Sequence, residues 1–324
     1  MLHRRRFLSL GVGGALASAL PRPSIAQGKA WPDKPVRIIV PFAAGGGTDS
    51  LARPWADKLT QAFGQQFVIE NRGGASGLIG TEAAAKSAPD GYTFLITGAT
   101  TTTFLPMMRK LNYDASRLMP VARVGDTVCG HVIGPSAGPK TVSEVVDYAK
   151  KNPGKLAFGS SGTGTTPHLR FEAFKAKAGV DILHVPYRGG ADSLNDLLAG
   201  SIHLMNEPVT LPHVKAGKLH IFAINHSSRM EEYPDVPTLT EAGFPDCDVP
   251  LWFTLWAPGG TSSEIIGRIN AKIVELSRTE EMVNKLKLVG AVPVLQTPDE
   301  IAAFREADRK ALAELVKVAN IKLE

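Results

Sequence analysis

The chain has 324 residues, 44% of them hydrophobic and 21% charged, the composition of a protein with a packed core rather than of a disordered segment. Its formal charge of +5 comes mostly from the N-terminus: residues 1–26 hold four Arg and no acid, and without them 32 Lys and Arg face 31 Asp and Glu, a charge of +1. So even a balance excludes bulk electrostatic attraction to nucleic acid or anionic membrane, and no later stretch offers the roughly 18 to 20 unbroken apolar residues of a membrane span.

Residues 1–26 read as an export signal. His3-Arg4-Arg5-Arg6-Phe7-Leu8 is a basic start, LSLGVGGALASAL is an apolar core too short to cross a bilayer, and Ser24-Ile25-Ala26 is a small-x-small cleavage site. Paired arginines followed by x-Phe-Leu resemble the twin-arginine class, and cleavage near Ala26 predicts a soluble, periplasmic protein. The 298 residues that follow exceed one compact core, which predicts two domains.

Beyond the Pro-rich lead WPDKP, strand and helix patterns alternate. VRIIVPF reads as a buried strand, and Asp49 to Phe63 as a helix with Leu51, Trp55 and Leu59 on one stripe. QQFVIEN is the next strand and Leu78 to Lys86 a short helix. YTFLITG, VCGHVIGP, KLAFGSSG, DILHVPY, SIHLMN, KLHIFAIN and LWFTLWAP are further strands. Helices are predicted at Val142–Lys151, Pro167–Ala178, Ala191–Ala199, Ser262–Ser277, Glu281–Leu288 and Pro298–Val318. Such alternation predicts an α/β fold with parallel sheets covered by helices. In these sheets ligands bind beyond the carboxyl ends of the strands. Five segments there share one chemistry: PFAAGGGTD, ENRGGASG, TGATTTTF, FGSSGTGTTPH and VPYRGGADS are all glycine-bearing, and only the second and fifth contain a cation, Arg72 and Arg188.

Helix N-termini present backbone N–H groups without intrahelical partners, glycine lets a ligand approach the backbone, and Ser or Thr adds hydroxyl donors. Such loops converging on one cleft would hold a carboxylate with neutral dipoles. Each loop alone is equally an ordinary strand-to-helix connector, in which Thr48, Asp49 or Ser50 caps the helix.

Motifs of catalysis are missing. GTGTTP and GGGTDS break the dinucleotide pattern at its sixth position, and no glycine loop continues into Gly-Lys-Ser/Thr. GASGL and GSSGT are out of register with a nucleophile elbow, and the eight His have no H-E-x-x-H spacing. No enzyme activity, cofactor or metal is predicted. His168, one residue past Pro167, fits a ligand contact and a capping or packing role equally. Cys129 and Cys247 fit either a disulfide or two buried thiols.

In sequence order, WPDKPVRIIVPFAAGGGTD, ENRGGASGLIGTEAAAKSAPDGYT, SGTGTTPHL, VPYRGGADSLNDLLAGSIHLM, LPHVKAGKL and YPDVPTLTEAGFPD resemble the tripartite tricarboxylate transporter substrate-binding family, the TctC or Bug proteins, over nearly the whole chain after the signal. The resemblance implies a type II periplasmic-binding-protein-like fold, two α/β domains with a central ligand cleft and two crossover strands. It also implies capture of a small carboxylated solute by hinge closure for a membrane permease. Domain 1 would be residues 27–130 plus 251–324 and domain 2 residues 131–250, with both cysteines at the crossovers, where a bridge would restrain the hinge. A monomer is expected, and no nucleic-acid partner.

Carried over by position, ligand contacts would come from Phe42, Ala44, Gly45, Gly46, Thr48 and Asp49, then Ser76, Gly77, Thr97 and Gly98. The second domain would supply Ser160, Ser161, Thr163, Thr166 and His168, then Tyr187, Arg188 and Gly189. Tyr187 could equally be core, and Arg188 could equally pair with Asp192 four residues on. After SIHLM the family commonly has an aromatic and an aspartate, where this chain has Asn206-Glu207. A longer carboxylate beside the cleft would repel an anion unless it turns away, is protonated, or meets a cationic group on the solute. Two rival functions are a sensory receptor partner and a secreted enzyme using His168 with Ser160 or Ser161.

Overall fold

β-Branched and aliphatic residues make Val36–Val40 a strand buried on both faces, and among the described residues eleven strands build two sheets. A computed structural model describes residues 31–318 and 321; the export signal read at 1–26 lies outside the described residues. In chain order the strands are β1 (Val36–Val40), β2 (Phe67–Asn71), β3 (Thr93–Thr97), β4 (Met119–Thr127), β5 (Gly130–Ile133), β6 (Ala157–Ser160), β7 (Leu183–Pro186), β8 (Leu204–Met205), β9 (His220–Ile224), β10 (Leu251–Ala257) and β11 (Ala291–Val292). The helices are α1 (Gly47–Phe63), α2 (Leu78–Ala85), α3 (Leu105–Met108), α4 (Val142–Lys151), α5 (Thr166–Ala178), α6 (Gly190–Ala199), α7 (Leu211–Lys215), α8 (Ser263–Ser277), α9 (Glu280–Leu288) and α10 (Pro298–Val318).

The first sheet runs β11-β4-β10-β3-β1-β2 and the second β7-β6-β8-β5-β9. The chain passes from the first to the second between β4 and β5, at Val128 and Cys129, and returns ahead of β10. The all-parallel expectation needs correction. β1 pairs parallel with β2 and β3, and β6 with β7 and β8, but β10 lies antiparallel between β3 and β4, and β5 is antiparallel to β8 and β9. Each strand that enters a sheet from the other one is reversed, since no crossover helix precedes it there.

The α1 stripe is seated as its spacing predicts, with Leu51, Trp55 and Leu59 buried against the first sheet and the Trp55 indole donating to the Val124 carbonyl at 2.7 Å. β4 is absent from the sequence reading because MPVARVGDT interrupts its apolar run with Arg, Gly and Asp. The buried Arg123 guanidinium is neutralised in place, donating through Nε and Nη2 to the Asp126 carboxylate at 2.8 Å each and lying 3.8 Å over the Phe304 ring. Cys129 and Cys247 are both buried free thiols, which decides against the bridge.

Candidate functional site

Gly46 ends the β1 loop and caps α1 in extended backbone, with no side chain accepting from the first turn. The same holds at Thr165 before α5 and at Gly189 before α6. Four helices elsewhere are capped: Thr141, Ser262, Thr279 and Thr297 accept from the N–H groups of Glu144, Glu264, Met282 and Glu300. α2, α3 and α7 also lack a side-chain cap, but it is the N-termini of α1, α5 and α6 that open together on one cavity of about 40 Å³. Phe42, Gly46, Gly47, Thr48, Gly98, Thr100, Leu251 and Phe253 line it from the first sheet, and Ser161, Thr165, Thr166, Pro167, Gly190, Glu207 and Pro208 from the second. No lining residue is cationic, so any anion here meets dipoles of main chain and hydroxyls.

The loops of the two sheets meet with almost no space between them. A Cβ at Gly47 would lie 3.5 Å from Pro208 Cδ, one at Gly46 would lie 3.7 Å from the Gly190 nitrogen, and one at Gly189 would lie 2.9 Å from Ala43 Cβ. These glycines therefore admit the opposite sheet's loops, which meet across the cleft with little room for side chains.

Of the residues anticipated from sequence, Phe42, Gly46, Thr48, Gly98, Ser161, Thr166 and Glu207 line the cavity. The others serve the loops around it. Asp49 is buried and turns away: its Oδ2 accepts from the Gly45 N–H and Arg53 Nε at 2.8 Å each, and its Oδ1 from Asn71 Nδ2 at 3.0 Å. Burial works to raise its pKa, but these hydrogen bonds outweigh it and hold the group below the ordinary Asp value. Asp49→Asn replaces one acceptor with a donor facing donors, and is expected to lower stability by about 1–3 kcal/mol, read from the urea midpoint.

His168 does not face the cavity either. Its Nδ1 accepts the Gly164 N–H at 3.1 Å while its ring lies 4.1 Å from that of His184, and burial pushes the two to about 3 and about 4, so both are neutral. Ser160 is held by His184 Nε2 at 2.7 Å and by Gly162. The hydroxyl of Thr97 is spent on Thr101 at 3.2 Å, while Gly77 packs under the Phe42 ring and Ser76 against Gly162. Ala44, Gly45 and Arg188 are exposed, and Thr163 is half-buried outside the lining. Among the described residues no ion pair joins Arg188 to Asp192. Tyr187 packs beside the apolar cluster of Leu194, Leu197 and Met205 and donates to Asp196 at 2.6 Å.

Asn206 is buried behind the cavity, its Oδ1 accepting from Arg170 Nη1 at 3.3 Å. Arg170 is fully buried and also donates through Nε to the Val249 carbonyl at 2.7 Å and through Nη1 to Cys129 Sγ at 3.0 Å. Glu207 is 4% exposed, and its Oε1 accepts the Ser161 N–H at 2.9 Å. Burial pushes its carboxyl up to about 7, with the Ser161 hydrogen bonds and the Arg170 charge pulling the other way.

Three lining features escaped the sequence reading. Thr100 sits on a π-helical turn, Thr100–Phe104, that a run of four threonines does not advertise. Leu251 and Phe253 come from β10, the strand added from the far end of the chain, and alternate positions of LWFTLWAP were the available signal. Gly47, Thr165, Pro167, Gly190 and Pro208 neighbour residues that were named.

The family described as Tripartite tricarboxylate transporter family receptor matches residues 51–321. Protein BugT of Bordetella pertussis is 36% identical over 299 residues, 91% of this chain and 92% of the relative. The structure of R. palustris Rpa4515 with adipate superposes with a TM-score of 0.87 at 34% identity, over 90% of this chain and 99% of that one. MatC from Rhodopseudomonas palustris with bound malate superposes with a TM-score of 0.84 at 28% identity, over 88% of this chain and 100% of that one.

Proposed function

This chain belongs to the tripartite tricarboxylate transporter receptor family, and from that membership we propose that it captures a small organic acid between its two sheets and hands it to a membrane permease. The observation that carries the reading is the convergence of three uncapped helix N-termini, from both sheets, on one cation-free cavity. The adipate and malate held by two structural relatives support a carboxylate as the solute. Residues 27–130 with 251–324 and residues 131–250 are then two lobes, hinged where the chain crosses between sheets. A solute touching both lobes only when they are shut shifts the equilibrium toward closure. The segment 1–26 exports the protein to the periplasm. No helix among the described residues is long and apolar enough to cross a membrane. The protein acts as a monomer, and the solute leaves chemically unchanged.

The test is a thermal-shift screen of aliphatic and aromatic carboxylates and amino acids. A true ligand at a hundredfold excess over Kd adds about 2.7 kcal/mol of stability. Failure of every acid to shift the melting temperature overturns the proposal.

A further inference from the structure

The cleft has one ionisable side chain in its lining, and it is a carboxylate. Glu207 reaches the cavity from the turn after β8, buried, with one oxygen on the Ser161 N–H and the other against the start of α6, where a Cβ on Gly190 would lie 2.0 Å from Oε2. Part of the second sheet's N–H surface, at Ser161 and the start of α6, is thus already taken by the protein's own carboxylate. Among the described residues Glu207 has no ion-pair partner: the cation acting on it, Arg170, donates instead to Val249, Cys129 and Asn206. A carboxylate has acceptor sites for about four hydrogen bonds, and a buried one without a cation is costly.

Resting on the capture reading above, we propose that Glu207 makes the cleft select acids bearing an N–H donor at the end remote from their carboxylate, zwitterions and carboxamides, over dicarboxylates of matched length. The carboxylate of the solute takes the free N–H groups at Gly47 and Thr48, where α1 begins and no side chain caps the turn. Its ammonium or amide then meets Glu207 and supplies the donor this carboxylate lacks. A second carboxylate at that end meets like charge at close range instead.

Isothermal titration at pH 8 with three five-carbon probes, glutarate, glutaramate and 5-aminopentanoate, and with their four- and six-carbon counterparts, decides the matter. At the length that fits, the wild-type protein is expected to bind the amide and amino acids at least about tenfold tighter than the dicarboxylate. Glu207→Gln keeps the shape and the bond from Ser161. It is expected to weaken the amino acid and tighten the dicarboxylate, each by about tenfold. A wild-type preference for the dicarboxylate, or a preference that Glu207→Gln leaves in place, overturns the role of Glu207 while leaving capture of acids standing. If none of these probes binds while the thermal-shift screen finds another acid, the preference proposed here falls and capture stands; if no acid binds in either experiment, both fall.

Discussion

Gly98→Ala is expected to lower the stability of the protein by about 1–3 kcal/mol or more, seen as a lower urea midpoint with an unchanged slope. Gly98 follows β3 and lines the cavity, and a Cβ there would stand 2.2 Å from the Trp252 carbonyl oxygen of β10. That obstacle is main chain in a sheet, so no rotamer relieves it and two hydrogen-bonded strands must move apart. The contrast with Gly190 sharpens the expectation. A Cβ there collides at 2.0 Å with the end of the Glu207 side chain, which can swing away, so Gly190→Ala trades the Glu207 bond to Ser161 for little backbone strain. Gly138→Ala meets nothing within 4 Å and serves as the control. Equal midpoints for the Gly98 and Gly138 variants would show that the β3–β10 contact is not tight.

Why some of this was legible in the sequence and some was not has a physical basis. Leu51, Trp55 and Leu59 declare α1 because one helical face is buried and the spacing repeats. The glycine loops declare the ends of strands because close approach of backbone excludes side chains. What those loops do with their polar side chains is not declared. Asp49, Ser160 and His168 look from sequence like donors and acceptors for a solute, yet each accepts a backbone N–H within its own loop. A tight turn near a cleft has backbone groups of its own to pair, and local partners are closest. Arg170 carries no signal at all. It lies on α5 among TPHLRFEAFKAKA, and only the fold places its guanidinium at Cys129 and Val249, beside the two passages of the chain between sheets. β4 was hidden for a related reason, since Arg123 reads as surface until Asp126 and Phe304 are seen around it.

Glu207→Gln is expected to be more stable than the wild type above pH 7 and to lose that advantage on acidification. Burial raises the Glu207 carboxyl to about 7 in the folded protein, against 4.5 when exposed. Between those values the folded state holds a proton that the unfolded state has lost, so wild-type stability falls as the pH rises through this window. The penalty is complete above about pH 7 and absent below 4.5, and 2.5 pKa units correspond to about 3 kcal/mol. Burial alone raises the Glu207 carboxyl; the Ser161 hydrogen bonds and Arg170 on α5 favour its charge, and the Cys129 thiol, buried and itself raised, adds no counter-charge. His131, His168 and His184 slope the other way: burial pushes them down to about 3, 3 and 4, so the stability they lend is full above about 6.5 and fades as the pH drops. Both proteins share those histidines, so the difference between their urea-derived stabilities isolates Glu207. A difference that stays flat from pH 4.5 to 8 would mean that Glu207 titrates at an ordinary pKa and that its carboxylate is solvated in the folded protein. A solute supplying an N–H donor lowers the same penalty by giving the charge a partner, so its stabilising effect on the wild type at pH 8 should exceed its effect on Glu207→Gln.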